Sequence, residues 1–128
     1  MSASRPRIAI VGASQDRSKY GNKAVRAFVA QGWEVLPVNP SLSEVEGLPC
    51  YPDLAAIPGD HLDRVSLYVP PAVGVGILDQ LRDKRVDEVW INPGAESPAL
   101  LARAEELGVE PIQACSIIAV GENPARFS

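Results

Sequence analysis

The sequence predicts an α/β fold, a Rossmann-like doubly wound sheet of about five parallel strands in a single domain. Three observations carry that expectation. Short apolar runs alternate with stretches of helical periodicity. The first apolar run, Arg7 to Gly12, ends in a glycine turn that leads toward a helix. The chain has 128 residues, the usual size of one domain around one core.

Arg7-Ile8-Ala9-Ile10-Val11-Gly12 is continuously apolar after its arginine, as a strand buried on both faces reads. From Gly21 to Gln31 the residues Ala24, Val25, Ala27, Phe28 and Val29 make one helical face, and Gly32 stops it. Glu34 to Val38 is the second strand, broken by Asn39-Pro40-Ser41. Glu46 to Asp53 offers a short extended piece between turns, followed by a small helical turn near Leu54-Ala55-Ala56. Arg64 to Val69 is the next strand. Pro70-Pro71 then opens a helix through Leu81, whose first turn Gly74 and Gly76 weaken. Asp87 to Asn92 repeats the strand pattern, Ser97 or Pro98 opens a helix ending at Gly108, and Val109 to Ile112 supplies the last strand. Residues 1–6 read as a flexible lead into the first strand. Right-handed crossovers put helices on both faces of such a sheet, and its ligands bind outside the carboxyl ends of the strands.

Composition narrows the function. A hydrophobic share of 46% with 22% charged residues describes a globular chain. A net charge of -4 and a pI near 4.9 argue against a broad surface for nucleic acid or anionic membrane. No run approaches the roughly 18 apolar residues of a membrane helix. The start of the chain carries no secretory apolar segment, so a cytoplasmic location is expected. Cys50 and Cys115 form no C-x-x-C pair and read as reduced, partly buried thiols. His61 is the sole histidine and stands in the polar turn Pro58-Gly59-Asp60-His61. It reads as a surface loop residue, with neither a metal cluster nor a Ser-His-Asp triad around it. With no paired carboxylates and no nucleophile beside a base, binding is favoured over catalysis.

Four strand-ending turns are chemically distinctive and are expected to converge: Gly12-Ala13-Ser14, Val38-Asn39-Pro40, Val69-Pro70-Pro71 and Asn92-Pro93-Gly94. At the first, Gly12 lets the backbone approach an anion and Ser14 adds a hydroxyl. Free N–H groups and the helix dipole there favour phosphate. Arg17 and Lys19 add positive charge, and Tyr20 is placed either to cover a ligand or to pack on the loop. The dinucleotide fingerprint G-x-G-x-x-G is missing, since one glycine is followed by Ala13-Ser14 and a long polar insertion. The second strand also ends in Asn39 where that fingerprint calls for Asp or Glu. A neutral side chain there tolerates a phosphorylated ribose that a carboxylate would repel.

Ile8-Ala9-Ile10-Val11-Gly12-Ala13-Ser14, Lys19-Tyr20-Gly21, Val38-Asn39-Pro40 and Gly47-Leu48-Pro49-Cys50-Tyr51-Pro52 together resemble the CoA-binding domain family. That family includes small stand-alone bacterial CoA-binding proteins. It also includes the domain found in the α subunit of succinyl-CoA synthetase and in ADP-forming acyl-CoA synthetases. The resemblance implies CoA or an acyl-CoA as the ligand, with Gly12, Ala13, Ser14 and Arg17 lining the phosphate turn. Lys19 holds a position that is often basic in relatives, and Asn39 and Pro40 would flank the nucleotide. Val69-Pro70-Pro71 resembles the V-P-A or V-P-P turn along the CoA, where the fixed backbone of proline makes a rigid wall. Asn92-Pro93-Gly94 resembles the turn that approaches the pantetheine arm. Cys115 falls where relatives often show a cysteine, and its expected role is packing. The synthetases act through a phosphorylated histidine in a separate domain that this sequence does not contain, so binding without catalysis is expected. Two other readings stay open: an NAD(P)-binding oxidoreductase-like domain, and a non-catalytic subunit lending its CoA site to a partner enzyme. Either a monomer or a homodimer is compatible with the sequence.

Overall fold

Five strands run parallel in one sheet of the computed structural model, which describes residues 5–127. The expected elements β1 (Arg7–Val11), α1 (Tyr20–Ala30) and β2 (Glu34–Val38) form first, and β1 lies beside β2 with Ile8 opposite Val35. The loop-rich stretch contains an antiparallel hairpin, β3 (Glu44–Val45) and β4 (Leu48–Pro49). It turns through Glu46 and Gly47 at φ of 50° and 77°. Then come β5 (His61–Leu67), α2 (Pro71–Asp79) with a 3-10 extension over Gln80–Asp83, and β6 (Arg85–Ile91). α3 (Pro98–Glu106), β7 (Ile112–Gln113), α4 (Ser116–Ala119) and a 3-10 turn over Pro124–Phe127 complete the described chain.

The strand order is β2-β1-β5-β6-β7. The winding therefore reverses between β1 and β5, where a doubly wound sheet opens its ligand crevice. Side chains alternate along β1 accordingly. Ile8 and Ile10 pack with Ala24, Val25 and Phe28 of α1, whereas Ala9 and Val11 face the layer that holds Ile77, Leu78 and Leu100 of α2 and α3. On the α1 face the guanidinium of Arg64 lies between the rings of Trp33 and Trp90, at 4.8 and 5.0 Å, and its Nε pairs with Glu88 at 2.8 Å.

Ser97 caps α3, its Oγ accepting the Leu100 N–H at 3.1 Å. A Ser97→Ala chain is expected to lose about 1 kcal/mol of stability, measurable as a lower urea midpoint with an unchanged slope.

The structure corrects several expectations. Leu54-Ala55-Ala56 makes a turn closed by the Ile57 N–H on the Leu54 carbonyl, not a helix. β5 begins at His61 rather than Arg64, and Val69 lies beyond its end. The polar residues that disguised its start are held by Arg7, whose backbone N–H donates to Asp63 and whose guanidinium donates to the His61 and Pro58 carbonyls. His61 is therefore a strand residue, not a loop one. The last strand is Ile112–Gln113 rather than Val109 to Ile112. Val109 gives its N–H to Ala104 at the end of α3, and Pro111 has none to give. α4 was not anticipated, because one turn of helix is too short to show periodicity. Of the lead expected to be flexible, residues 1–4 lie outside the described residues, and the Pro6 carbonyl accepts the Glu34 N–H at 2.9 Å. Among the described residues no helix is long and apolar enough to cross a membrane.

Candidate functional site

β1 leaves the sheet through Gly12, whose φ is +92°. A Cβ there would stand 2.6 Å from the carbonyl oxygen of Tyr68, at the exit of β5. Gly21, in the first turn of α1, is tighter still, since a Cβ would lie 2.1 Å from the Gly12 carbonyl oxygen. These two positions let a strand end, its neighbour's end and a helix start meet with backbone against backbone.

The phosphate turn differs from expectation in one respect. The Gly12 and Ala13 N–H groups both donate to the Val38 carbonyl, at 3.1 and 3.2 Å, so they fasten β1 to β2 rather than standing free. Free donors lie instead at the start of α1. Lys19 is its N-cap with no side-chain capping bond, and the Asn22 and Lys23 N–H groups turn back to the Lys19 carbonyl. The N–H groups of Tyr20 and Gly21, ahead of them, have no acceptor among the described residues. Such an uncapped turn has the geometry and dipole that favour an anion.

Between these elements and the carboxyl ends of β5 and β6 lies a cleft of about 480 Å³. Gly12, Lys19, Tyr20 and Gly21 form one side, and Tyr68 and Val69 the next. Asn92, Pro93, Gly94 and Ala95 line the exit of β6, and Cys115, Ile118 and Pro124 close the cleft from the end of the chain. No carboxylate or imidazole is among these residues.

Seven of the residues picked from the sequence thus meet here: Gly12, Lys19, Tyr20, Val69, Asn92, Pro93 and Gly94. The others serve its frame. Ala13 is fully buried in the α1 layer. Ser14 accepts the Asp16 N–H on its Oγ and an Asn22 side-chain bond on its carbonyl. Asp16 in turn accepts from the Ser18 hydroxyl and N–H, which hold its carboxyl below its ordinary range. Arg17 pairs with Glu46 at 3.4 Å. Asn39 gives its Nδ2 to the Ala13 carbonyl and takes the Ser41 N–H on its Oδ1, at 2.9 and 2.8 Å, while Pro40 beside it is exposed. Pro70 and Pro71 are the N-cap and first residue of α2, where proline suits a helix start, and do not line the cleft.

Sequence reasoning missed Gly21, Tyr68, Ala95, Cys115, Ile118 and Pro124. Gly21 carried a signal, since a glycine in the first turn of an amphipathic helix marks close packing. Ile118 and Pro124 carried none, because only the return of the chain brings them back to β1.

Asn92 does more than line the cleft. It is 2% exposed. Its Nδ2 donates to the Ser66 hydroxyl and the Leu67 carbonyl, at 2.7 and 2.9 Å, and its Oδ1 accepts the Ser116 N–H at 2.9 Å. Ser66 and Ser116 share a hydroxyl bond of 2.7 Å. This network ties α4, and with it Cys115 and Ile118, to the sheet. Beside it the Tyr68 hydroxyl is buried with no hydrogen-bond partner among the described residues, and burial pushes its phenol well above the ordinary range. Cys50 lies outside the cleft, its Sγ 3.9 Å from the Asn39 carbonyl oxygen, and burial raises its thiol. Both thiols are free and half-buried, as expected.

A cleft with a cationic, donor-rich end and an otherwise mostly apolar lining suits a ligand that joins phosphates to an uncharged arm. Residues 6–121 match the family model described as a CoA binding domain. The chain belongs to the CoA-binding domain family. Among its relatives is the ADP-forming acetate–CoA ligase I of Archaeoglobus fulgidus, 29% identical over 118 residues. That alignment covers 91% of this domain but 17% of the ligase, so the domain spans a small part of that relative's length. Of solved structures, a conserved hypothetical protein from Pyrococcus furiosus superposes with a TM-score of 0.80 at 36% identity. The match covers 91% of this CoA-binding domain and 99% of that chain. The dinucleotide-forming acetyl-coenzyme A synthetase 1 of Ca. Korarchaeum cryptofilum, in complex with phosphate and ADP, superposes with a TM-score of 0.67 at 29% identity. There the match covers 84% of this domain and 25% of the synthetase. These three relatives are archaeal, whereas the sequence resemblance had pointed to bacterial stand-alone proteins.

Proposed function

We propose that the domain, with residues 1–128 acting as one binding unit, binds CoA or an acyl-CoA in this cleft and performs no group transfer of its own. The observation that carries the reading is the uncapped start of α1, with Lys19 at its cap, opening into the same cleft as Val69 and Ile118. Phosphates sit against the Tyr20 and Gly21 N–H groups and the Lys19 ammonium, where helix dipole and charge act together. The pantetheine arm runs along Val69 toward Asn92-Pro93-Gly94. The lining supplies no carboxylate or imidazole for proton transfer near neutral pH, which supports binding over catalysis.

Calorimetric titration with CoA, acetyl-CoA, NAD and NADP tests this directly. CoA or acetyl-CoA is expected to bind at one site per chain. Tight NAD binding without CoA binding would overturn the reading. Lys19→Ala is expected to weaken CoA binding by roughly 1–3 kcal/mol, the worth of a charge-assisted hydrogen bond, with the circular dichroism unchanged. Equal affinity in the variant would return Lys19 to solvent.

The similarity to 17% of an acetate–CoA ligase favours a second reading, in which the domain lends its CoA site to a partner enzyme. Copurification of a synthetase subunit with the tagged protein from its native cell supports it, and recovery of the protein alone counts against it.

A further inference from the structure

We propose that His61, Asp63 and Asp87 form a binding site for one transition-metal dication such as zinc, at the edge of the sheet opposite the cleft. His61 Nε2 and Asp87 Oδ2 are 3.0 Å apart, and with an Asp63 oxygen the three donor atoms lie within 4.8 Å of one another. His61 and Asp63 stand two residues apart at the amino end of β5, so their side chains leave the same face of the strand. Asp87 stands on β6, between the ladder pairs Leu62 with Val86 and Arg64 with Glu88, which brings it beside Asp63. Strands fix all three positions, as a preorganised site requires.

The charges around the cluster point the same way. Two carboxylates side by side on neighbouring strands repel. Of the basic side chains around them Arg7 and Lys84 are committed elsewhere, and Arg85, opposite His61 on β6, has no ion pair among the described residues. The Arg7 guanidinium is held by Glu34 and by the Pro58 and His61 carbonyls. Lys84 Nζ is held by the carbonyls of Ile57 and Gly59. Asp63 receives the Arg7 backbone N–H at 2.7 Å on one oxygen, which leaves the other for a ligand. Among the described residues Asp87 has an ion pair only with His61. A dication bound by all three would offset that repulsion directly, where Arg7 and Lys84 do not and Arg85 is paired with neither carboxylate.

The donor set selects the metal. Imidazole nitrogen suits zinc, cobalt and nickel, while sites for magnesium and calcium are built from oxygen. Bonds of about 2.1 Å in a tetrahedron put donors ~3.4 Å apart, close to the His61–Asp87 separation. The side chains of His61 and Asp87 are 30% and 53% exposed, which lets water complete the coordination. Bound there, the metal staples β5 to β6 far from the cleft. Its presence and CoA binding are therefore separable.

Equilibrium dialysis of the whole protein against zinc, cobalt or magnesium, with metal counted by mass spectrometry, tests the site. The expected result is one zinc or cobalt per chain, no retained magnesium, and visible cobalt absorption bands. His61→Ala and Asp87→Asn are each expected to lower affinity at least tenfold, and Glu105→Gln, on the exposed face of α3, to leave it unchanged. His61→Gln keeps a hydrogen-bond donor for Asp87 while removing the imidazole, so it repeats the test if His61→Ala fails to fold. Absence of stoichiometric uptake, or uptake that survives loss of the imidazole, would overturn the proposal and leave His61 and Asp87 as an ion pair only.

Discussion

Gly21→Ala is expected to lower the melting temperature by roughly 10 °C or more and to abolish CoA binding together with it. Two effects compete at this position. Alanine is the better helix former by about 1 kcal/mol, which taken alone would stabilise α1. Against it stands a Cβ placed 2.1 Å from the carbonyl oxygen of Gly12, and that neighbour is backbone, with no rotamer to yield. Overpacking of this kind typically costs about 1–3 kcal/mol and sometimes more. Here the relief must come from moving the whole first turn of α1, so the upper end applies and the clash wins. Lys19 and the free Tyr20 and Gly21 N–H groups move with that turn. Thermal unfolding followed by circular dichroism, with a CoA titration below the transition, checks both halves. A melting temperature within two degrees of the parent would show that the turn and helix are not locked as described.

Asn92→Ala is expected to cost about 3 kcal/mol and to loosen α4. The alanine orphans the Ser116 N–H, at roughly 1–3 kcal/mol, and takes a side-chain donor from the Ser66 hydroxyl and from the Leu67 carbonyl, which keeps only the backbone N–H of residue 92. Asn92→Asp is no remedy. Its carboxylate keeps an acceptor for the Ser116 N–H but sets a negative oxygen against the Leu67 carbonyl, at a position only 2% exposed. The same loss of stability or more is expected at pH 7. Alkylation of Cys115, the N-cap of α4, reports on the loosening. Its rate should rise in both variants while that of Cys50 changes less, and equal rates would mean that α4 is held by other contacts.

The sheet itself was legible because its first two strands, β1 and β2, are buried on both faces. Such strands leave uninterrupted apolar runs, and Ile8-Ala9-Ile10-Val11 and Val35 to Val38 are read at nearly their true bounds. Reading failed at the polar starts of β5 and β6, where His61, Asp63 and Arg85 interrupt the pattern. Their partners, Arg7 above all, lie tens of residues away. It failed again at Pro70 and Pro71. A proline pair after a strand signals rigidity equally well for a ligand wall and for a helix start, and here it starts α2.

The candidate site shows the same division. The sequence by itself determined that strand ends with Gly12, Val69 and Asn92 would gather at one edge, because parallel strands with right-handed crossovers leave no other arrangement. It also determined that a basic residue, Lys19, would stand at the first helix. Only the tertiary structure decided which atoms remain available there. The Gly12 and Ala13 N–H groups and both amide atoms of Asn39 take up bonds within the protein, whereas the Tyr20 and Gly21 N–H groups have no acceptor among the described residues. Cys115, Ile118 and Pro124 arrive from the far end of the chain, and His61 finds Asp87 across a strand boundary. The physical reason is one of range. Burial periodicity and turn chemistry are local and leave their marks in neighbouring residues, while hydrogen-bond satisfaction and charge neighbourhood are settled between segments that meet only when the sheet closes.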